Sequence, residues 1–187
     1  MEQVSTATNM FSLLDEKKQE KVYCAAVDEF SLKGYSNASV NNIVQSAGIS
    51  KGSLFTYFKT KSSLFDGLAS LAVDKVKDYL RPVRDETTEI NIIQRLETFL
   101  RSGFSFIDKH PRLTRIYFNL LYSGDTPFRG KRLQRIHAES REFLSELLQE
   151  SLQKGELNPE LDVNRTAFLL NAMFEQLLRA YYIEYMA

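Results

Sequence analysis

Apolar residues recur at helical spacing from about residue 15 to the end of the chain, and no useful stretch alternates with the period of a strand. Tyr23, Ala26, Val27 and Phe30 share one face of a helix expected over 15–33, which Gly34 ends. Val40, Ile43, Val44 and Ala47 then fall at i, i+3, i+4 and i+7, a single stripe on a short second helix. Ser39 stands before it as an N-cap, and Gly48 after it as a left-handed C′ residue. Ser50 can cap a third helix, in which Leu54 and Phe58 point back at that stripe. Lys51, Gly52, Ser53, Thr56 and Tyr57 are left facing away.

A fourth helix is expected from residue 62, with Leu64, Phe65, Leu68, Leu71, Ala72, Val76 and Tyr79 at helical spacing. Pro82 should close it, since its ring removes a hydrogen-bond donor, and Asp85-Glu86-Thr87-Thr88 should connect it onward. Residues 90–109 form the next helix, with Ile93, Leu96, Phe99, Leu100 and Ile107 inward. His110-Pro111 breaks it, and a shorter helix carries Leu113, Ile116, Tyr117, Leu120 and Leu121. A loop is expected over 123–127 by composition. A long amphipathic helix over 129–154 carries Leu133, Ile136, Phe143, Leu144, Leu147, Leu148 and Leu152, and Gly155 stops it.

The last helix follows Asp162, its expected N-cap, and runs towards Tyr185. Val163, Ala167, Leu170, Phe174, Leu177, Leu178 and Tyr181 make one stripe, while Phe168, Leu169, Ala172 and Met173 make a second. A helix apolar on most of its circumference must be covered on most of it. A second copy of the chain is the expected cover. Phe143, Leu147, Phe168, Ala172, Met173 and Gln176 would form that interface, a four-helix arrangement across a two-fold axis.

Two short helices joined by a tight turn are what a helix-turn-helix needs to set its second helix in a major groove. The charge distribution fits double-stranded DNA as the partner. Lys and Arg number 24 and Asp and Glu 24, so the net charge is zero. Yet residues 44–63 hold Lys51, Lys59 and Lys61 and no acid, and Lys17, Lys18 and Lys21 begin the preceding helix. A local basic footprint suffices for phosphate contacts and predicts salt-sensitive binding.

Several function classes fall away. The single cysteine, Cys24, excludes an internal disulfide and a multi-cysteine zinc site, and its apolar neighbours suggest a buried thiol. No run approaches the roughly 18 apolar residues of a membrane span, and the first ten residues lack the basic and apolar regions of a secretion signal. A cytoplasmic protein is expected. His110 and His137 are the only histidines, without metal-pair spacing, and there is neither a phosphate loop nor a nucleophile elbow. No enzyme activity, metal or cofactor is read.

Residues 15–68 resemble the DNA-binding domain of the tetracycline-repressor (TetR) family of bacterial transcriptional regulators. The resemblance rests on Ala25-Ala26 through Phe30, Gly34-Tyr35, Ser39-Val40-Asn41-Asn42-Ile43-Val44, Ala47 through Phe55, Tyr57-Phe58, and Lys61 with Leu64, all in one register. It implies an all-α fold of about nine helices: a flexible arm (1–14), a three-helix helix-turn-helix domain (15–61) and a helical effector-binding and dimerisation domain (62–187). It further implies a homodimer that reads a near-palindromic operator, acting as a repressor released by a small-molecule effector. Carried over by position, Ser39 caps the motif's first helix at a phosphate, with Asn41 and Asn42 at its exposed start. Lys51, Gly52, Ser53 and Thr56 face the groove behind the Ser50 cap, and Tyr57 and Lys61 clamp the backbone. Position 55, usually tyrosine in the family, is Phe55, so one hydroxyl contact to phosphate is missing.

The residue chemistry agrees. Amides and hydroxyls at helix N-termini are ready phosphate anchors, Lys51 can reach a guanine edge, and Thr56 can touch a thymine methyl. For the effector, Phe99, Phe104, Tyr117, Phe118, Tyr122, His137, Phe143, Phe168, Asn171 and Glu175 are the candidate lining, which favours an apolar or aromatic molecule. The alternative is a C-terminal domain that binds a protein partner instead of a small ligand.

Overall fold

The computed structural model describes residues 16–87, 89–122, 126 and 129–186. Eight helices account for the regular structure among them: α1 Glu16–Asn37, α2 Val40–Ala47, α3 Lys51–Tyr57, α4 Lys61–Glu86, α5 Ile92–Lys109, α6 Pro111–Tyr122, α7 Arg129–Gln153 and α8 Val163–Tyr185. The fold is all-α, with one helix fewer among the described residues than the nine expected. The expected arm over 1–14 lies outside the described residues, as does the expected loop over 123–127 apart from Thr126.

The chain forms two compact units. The first takes in the chain up to Lys75 with Arg112–Arg129, and the second Val76–Pro111 with everything from Gly130. The division drawn at residues 61/62 thus falls inside the first unit, and α4 contributes to both. Helix α6, grouped by sequence with the larger domain, belongs to the first unit, where Arg112 pairs with Asp28 of α1.

In the first unit Val22, Ala26 and Phe30 of α1, Ile43 of α2, Leu54 of α3 and Leu64 and Leu68 of α4 are buried. The Phe65 ring meets Phe30 and Tyr35 edge to face, at 5.1 and 5.2 Å, the geometry aromatic quadrupoles favour. Gly34 does not end α1 outright. It kinks it with φ 70° and ψ 179°, and one more helical stretch reaches Asn37. Cys24 is exposed, contrary to the buried thiol suggested by its neighbours. Two residues along a helix is a rotation of about 200°, so Cys24 lies opposite the buried Val22.

In the second unit Ile92 of α5, Leu144, Leu147 and Leu148 of α7 and Ala167 and Phe174 of α8 form one core, with Leu96, Phe99, Leu100 and Phe143 packed against it. Two expectations are corrected here. Pro82 lies inside α4, which runs on to Glu86, so Asp85 and Glu86 are helical rather than connector. The proline removes one bond, to the Asp78 carbonyl, and both residues are exposed so that water can take that carbonyl. The Thr87 hydroxyl then donates to the Val83 carbonyl at 2.5 Å at the helix end. Ile93, expected inward, is 69% exposed, while Ile92 is buried. The helix begins at Asn91, whose side chain accepts from the Gln94 amide, and that start turns Ile92 and Arg95 to the core.

Gly103 of α5 sets a close approach to α8. A Cβ there would stand 2.7 Å from Leu178 Cδ2. The Tyr181 hydroxyl of α8 donates to Asp108 of α5 at 2.8 Å. Among the described residues no helix is long and apolar enough to cross a membrane.

Candidate nucleic-acid interface

The turn between α2 and α3 is built by local chemistry. Gly48 adopts φ 66°, ψ 35°, which costs a side-chain-bearing residue about 1 kcal/mol and glycine little. Its amide donates to the Gln45 carbonyl at 3.2 Å and the Ile49 amide to the Val44 carbonyl at 3.0 Å, the paired bonds of a Schellman stop. Two residues later the Ser50 hydroxyl accepts from the Ser53 amide at 3.1 Å and starts α3. Ile43, Val44 and Ala47 on α2 are buried, as are Leu54 and Phe58 at and just after α3, and this holds the two helices in a fixed attitude.

The outward face of α3 follows from that packing. Lys51, Gly52 and Thr56 are exposed, with Ser53, Phe55 and Tyr57 half-buried. The Lys51 ammonium lies 5.9 Å from the centre of the Phe55 ring, at the outer reach of a cation–π contact. The Thr56 hydroxyl donates to the Gly52 carbonyl at 3.0 Å, which leaves its methyl as the group for an apolar contact. A Cβ on Gly52 would meet only the Ser50 hydroxyl, at 3.9 Å, so the packing of this chain gives no reason for a glycine there. A glycine inside a helix costs up to about 1 kcal/mol relative to alanine. A ligand approaching the backbone would give that reason.

Three residues behave differently from the sequence reading. Ser39 occupies the N-cap position of α2 with extended backbone, but its hydroxyl makes no cap bond. Its amide instead donates to Glu29 of α1 at 2.8 Å. Asn42, exposed like Asn41, also donates to Glu29, at 3.2 Å. Lys61 donates to the Ser36 carbonyl at 3.0 Å and lies 4.9 Å from the centre of the Tyr35 ring, so it braces its own domain. Burial by itself would raise the Glu29 carboxyl, but bonds from Lys33, Ser39 and Asn42 and the Lys33 charge outweigh it and hold it below its usual value. Nothing local in the sequence flags Glu29, which acts ten residues away.

The candidate effector residues fall in both compact units. Tyr117, Phe118 and Tyr122 sit together on α6, in the first unit. In the second unit Phe99 stacks on Phe143 at 5.2 Å and on Phe174 at 5.7 Å, a core cluster. Phe104 contacts Tyr181. His137, Phe168, Asn171 and Glu175 come together in an open groove of about 310 Å³ between α7 and α8 that Gln134, Arg141 and Ala172 complete. His137 Nδ1 stands 3.5 Å from the Asn171 amide and 3.4 Å from Glu175. It can accept from the first or, when protonated, donate to the second. Gln134, His137 and Arg141, like Phe168, Asn171, Ala172 and Glu175, share a helical face by their spacing, a signal carried mostly by polar rather than aromatic positions. Arg95 was missed as well: it is buried and paired to Glu150 at 2.9 Å.

The second stripe of α8 is uncovered. Phe168, Leu169, Met173 and Leu177 are exposed apolar residues, and Ala172 and Gln176 beside them are exposed. Leu177, placed in the first stripe with Ala167 and Phe174, is exposed while those two are buried. Two residues named for a subunit interface lie elsewhere: Leu147 is buried in the core of its own unit, and Phe143 is stacked on Phe99. On α7 both fall on the side that packs α5 and α8.

Comparisons with known proteins agree with this geometry. Residues 23–68 match the family model for bacterial regulatory proteins of the tetR family, and residues 90–187 the tetracyclin repressor-like C-terminal domain. The uncharacterized HTH-type transcriptional regulator YdgC of Bacillus subtilis is 26% identical over 168 residues, 88% of this chain and 81% of that protein. A TetR family regulator from Chloroflexus aurantiacus superposes with a TM-score of 0.71 at 28% identity, covering 96% of this chain and 82% of that one. FadR of Bacillus subtilis, solved with stearoyl-CoA, shares the fold with a TM-score of 0.72 at 20% identity, covering 88% and 87%.

Proposed function

Because the chain belongs to the TetR family of bacterial regulatory proteins, we propose that it is a homodimeric repressor that leaves its operator when a small apolar or aromatic effector binds. DNA reading is assigned to the helices up to Lys61, and effector binding and dimerisation to the residues beyond. The observation that carries this reading is the outward face of α3. It offers one long cation, Lys51, beside a glycine, Gly52, that the chain's own packing does not require. Lys51 would hydrogen-bond a guanine edge, and the methyl of Thr56 would make an apolar contact with a thymine methyl. Ser53 would face the groove beside them, Ser39, Asn41, Asn42 and Ser50, at or near helix N-termini, would hold phosphates, and Tyr57 and Lys61 would clamp the backbone at the flanks. Asn42 and Lys61 would do so from positions already braced by Glu29 and Ser36.

Two such heads on a two-fold axis read half-sites separated by a whole number of helical turns, about 34 Å or a multiple. The uncovered stripe of α8 supports pairing between copies. An effector can release DNA only to the extent that it prefers the conformation that cannot span both half-sites. FadR, which shares the fold, is solved with stearoyl-CoA, so long-chain acyl-CoA thioesters belong in the first panel with aromatic compounds.

The test is selection of bound DNA from a random-sequence pool. A near-palindromic site should emerge, and Lys51→Ala should relax base preference at one position in each half-site. Recovery of no preferred sequence, or a K51A variant with unchanged preference, would refute the reading head. A ligand from the panel should raise the melting temperature and release the selected duplex. Stabilisation without release would refute the effector reading.

A further inference from the structure

One carboxylate oxygen at the junction of α1 and α2 gathers three donors. Glu29 Oε1 accepts from the Ser39 amide at 2.8 Å, from Lys33 Nζ at 2.9 Å and from Asn42 Nδ2 at 3.2 Å. Its side chain is 11% exposed. Ser39 is the N-cap residue of α2, so Asn42 is its third helical residue. In a capping box the side chain at that third position reaches back to the N-cap amide. Here a carboxylate from another helix takes that amide and holds the third residue as well.

Two consequences bear on DNA. The Ser39 hydroxyl, which makes no cap bond, is left for another acceptor. With one Nδ2 hydrogen committed to Glu29, Asn42 keeps a second amide hydrogen and its Oδ1, held in one amide orientation. A phosphate oxygen only accepts, so the orientation of that remaining hydrogen decides whether Asn42 can meet it. The Lys33 ion pair offsets the negative charge that would otherwise stand near the DNA backbone.

We propose that Glu29 is a positioning residue for DNA reading, fixing the start of α2 and the Asn42 amide in the attitude in which they meet a phosphate. The inference rests on the reading head assigned above. It adds a residue that touches no DNA yet sets the contacts of two that do.

The test uses the full chain and the duplex that the wild-type chain recovers from a random-sequence pool, with affinity read by fluorescence anisotropy at a temperature where circular dichroism shows each variant folded. Glu29→Ala should weaken binding about tenfold, the order expected for losing a charge-assisted contact. Glu29→Gln keeps an acceptor oxygen at the same reach and should stay within about threefold of wild type. Asn42→Ala should weaken binding in the wild-type background and change little once Glu29 is alanine, because the two act as one unit. If Glu29→Ala does not fold, Glu29→Asp, one methylene shorter, takes its place with the same expected loss.

A Glu29→Ala variant that melts lower but binds with wild-type affinity would overturn the proposal, leaving Glu29 a structural cap. So would a Glu29→Gln as weak as the alanine, or Glu29 and Asn42 effects that simply multiply. Lys51→Ala measured on the same duplex separates the two levels. If it too leaves affinity unchanged, the reading head itself is misassigned; if it alone weakens binding, only the role of Glu29 falls.

Discussion

Replacing Phe168 tests the pairing of two copies through α8. Phe168 is 54% exposed, with Leu169 at 59% and Met173 at 48% on the same side of the helix. A covered phenylalanine buries roughly 200 Å², so Phe168 has about 100 Å² left to bury, worth about 2.5 kcal/mol. The substitution appears twice in a symmetric dimer, so Phe168→Ser should cost about 5 kcal/mol and raise the dimer Kd by about three powers of ten or more. Phe168→Asp should be worse, since a charge must be desolvated as well. Sedimentation velocity over a concentration series reads the effect directly. Wild type should run as a dimer where the variant runs as a folded monomer, with DNA affinity falling in step. Leu147→Ala is the control. Leu147 is buried in its own unit, so the change should lose about 2–5 kcal/mol of stability without a comparable shift in assembly. A wild-type chain monomeric at tens of micromolar, or a folded Phe168→Asp chain that still pairs normally, would refute the argument.

Gly52→Ala should act in opposite directions on stability and binding: the melting temperature rises by a few degrees, from up to about 1 kcal/mol of helix propensity, while duplex affinity falls by about tenfold or more as a phosphate contact is held off. Equal affinity would show that the backbone does not approach DNA there. Lys61→Ala should flatten the salt dependence of DNA binding by about one unit. It should also lower the melting temperature without DNA, because the Ser36 bond and the Tyr35 ring contact are lost; an unchanged melting temperature would deny the bracing role. Burial, with a smaller contribution from Cys24, pushes the Tyr23 hydroxyl up from 10.0 to about 12. The folded chain therefore keeps that proton where the unfolded chain has lost it, so the stability it contributes is intact below pH 10.0 and drains away as pH rises to about 12. Ultraviolet difference titration of wild type against Tyr23→Phe should find the missing ionisation at that upper end.

Much of the architecture is legible in the sequence because helix starts and stops are decided within a few residues. Gly48, Gly155, Ser50 and Asp162 each work on amides or carbonyls no more than four or five positions away. The stripe of α2 and the inward side of α7 follow in the same way from 3.6-residue periodicity, and residue types along the α3 face carry the family resemblance that the family models bear out.

What escaped the sequence depends on which neighbour a residue meets. Pro82 stays helical because its exposed partner carbonyl can reach water, Arg95 is buried because Glu150 answers it, and Ile92 rather than Ile93 is inward because Asn91 sets where α5 begins. Tyr117, Phe118 and Tyr122 share the aromatic chemistry of Phe99 and Phe143, yet they belong to a different compact unit. Leu147 and Phe168 look equally suited to an interface, and only the packing of α5 against α7 and α8 turns the first inward and leaves the second uncovered. The sequence alone determined the all-helical class, the stops and starts at Gly48, Ser50, Gly155 and Asp162, and the outward chemistry of α3, since each is settled by contacts within about one or two turns. The tertiary structure alone decided that Glu29 governs the start of α2 and that α8 keeps an open apolar stripe. Both turn on residues far apart in the chain, whose meeting no local pattern encodes.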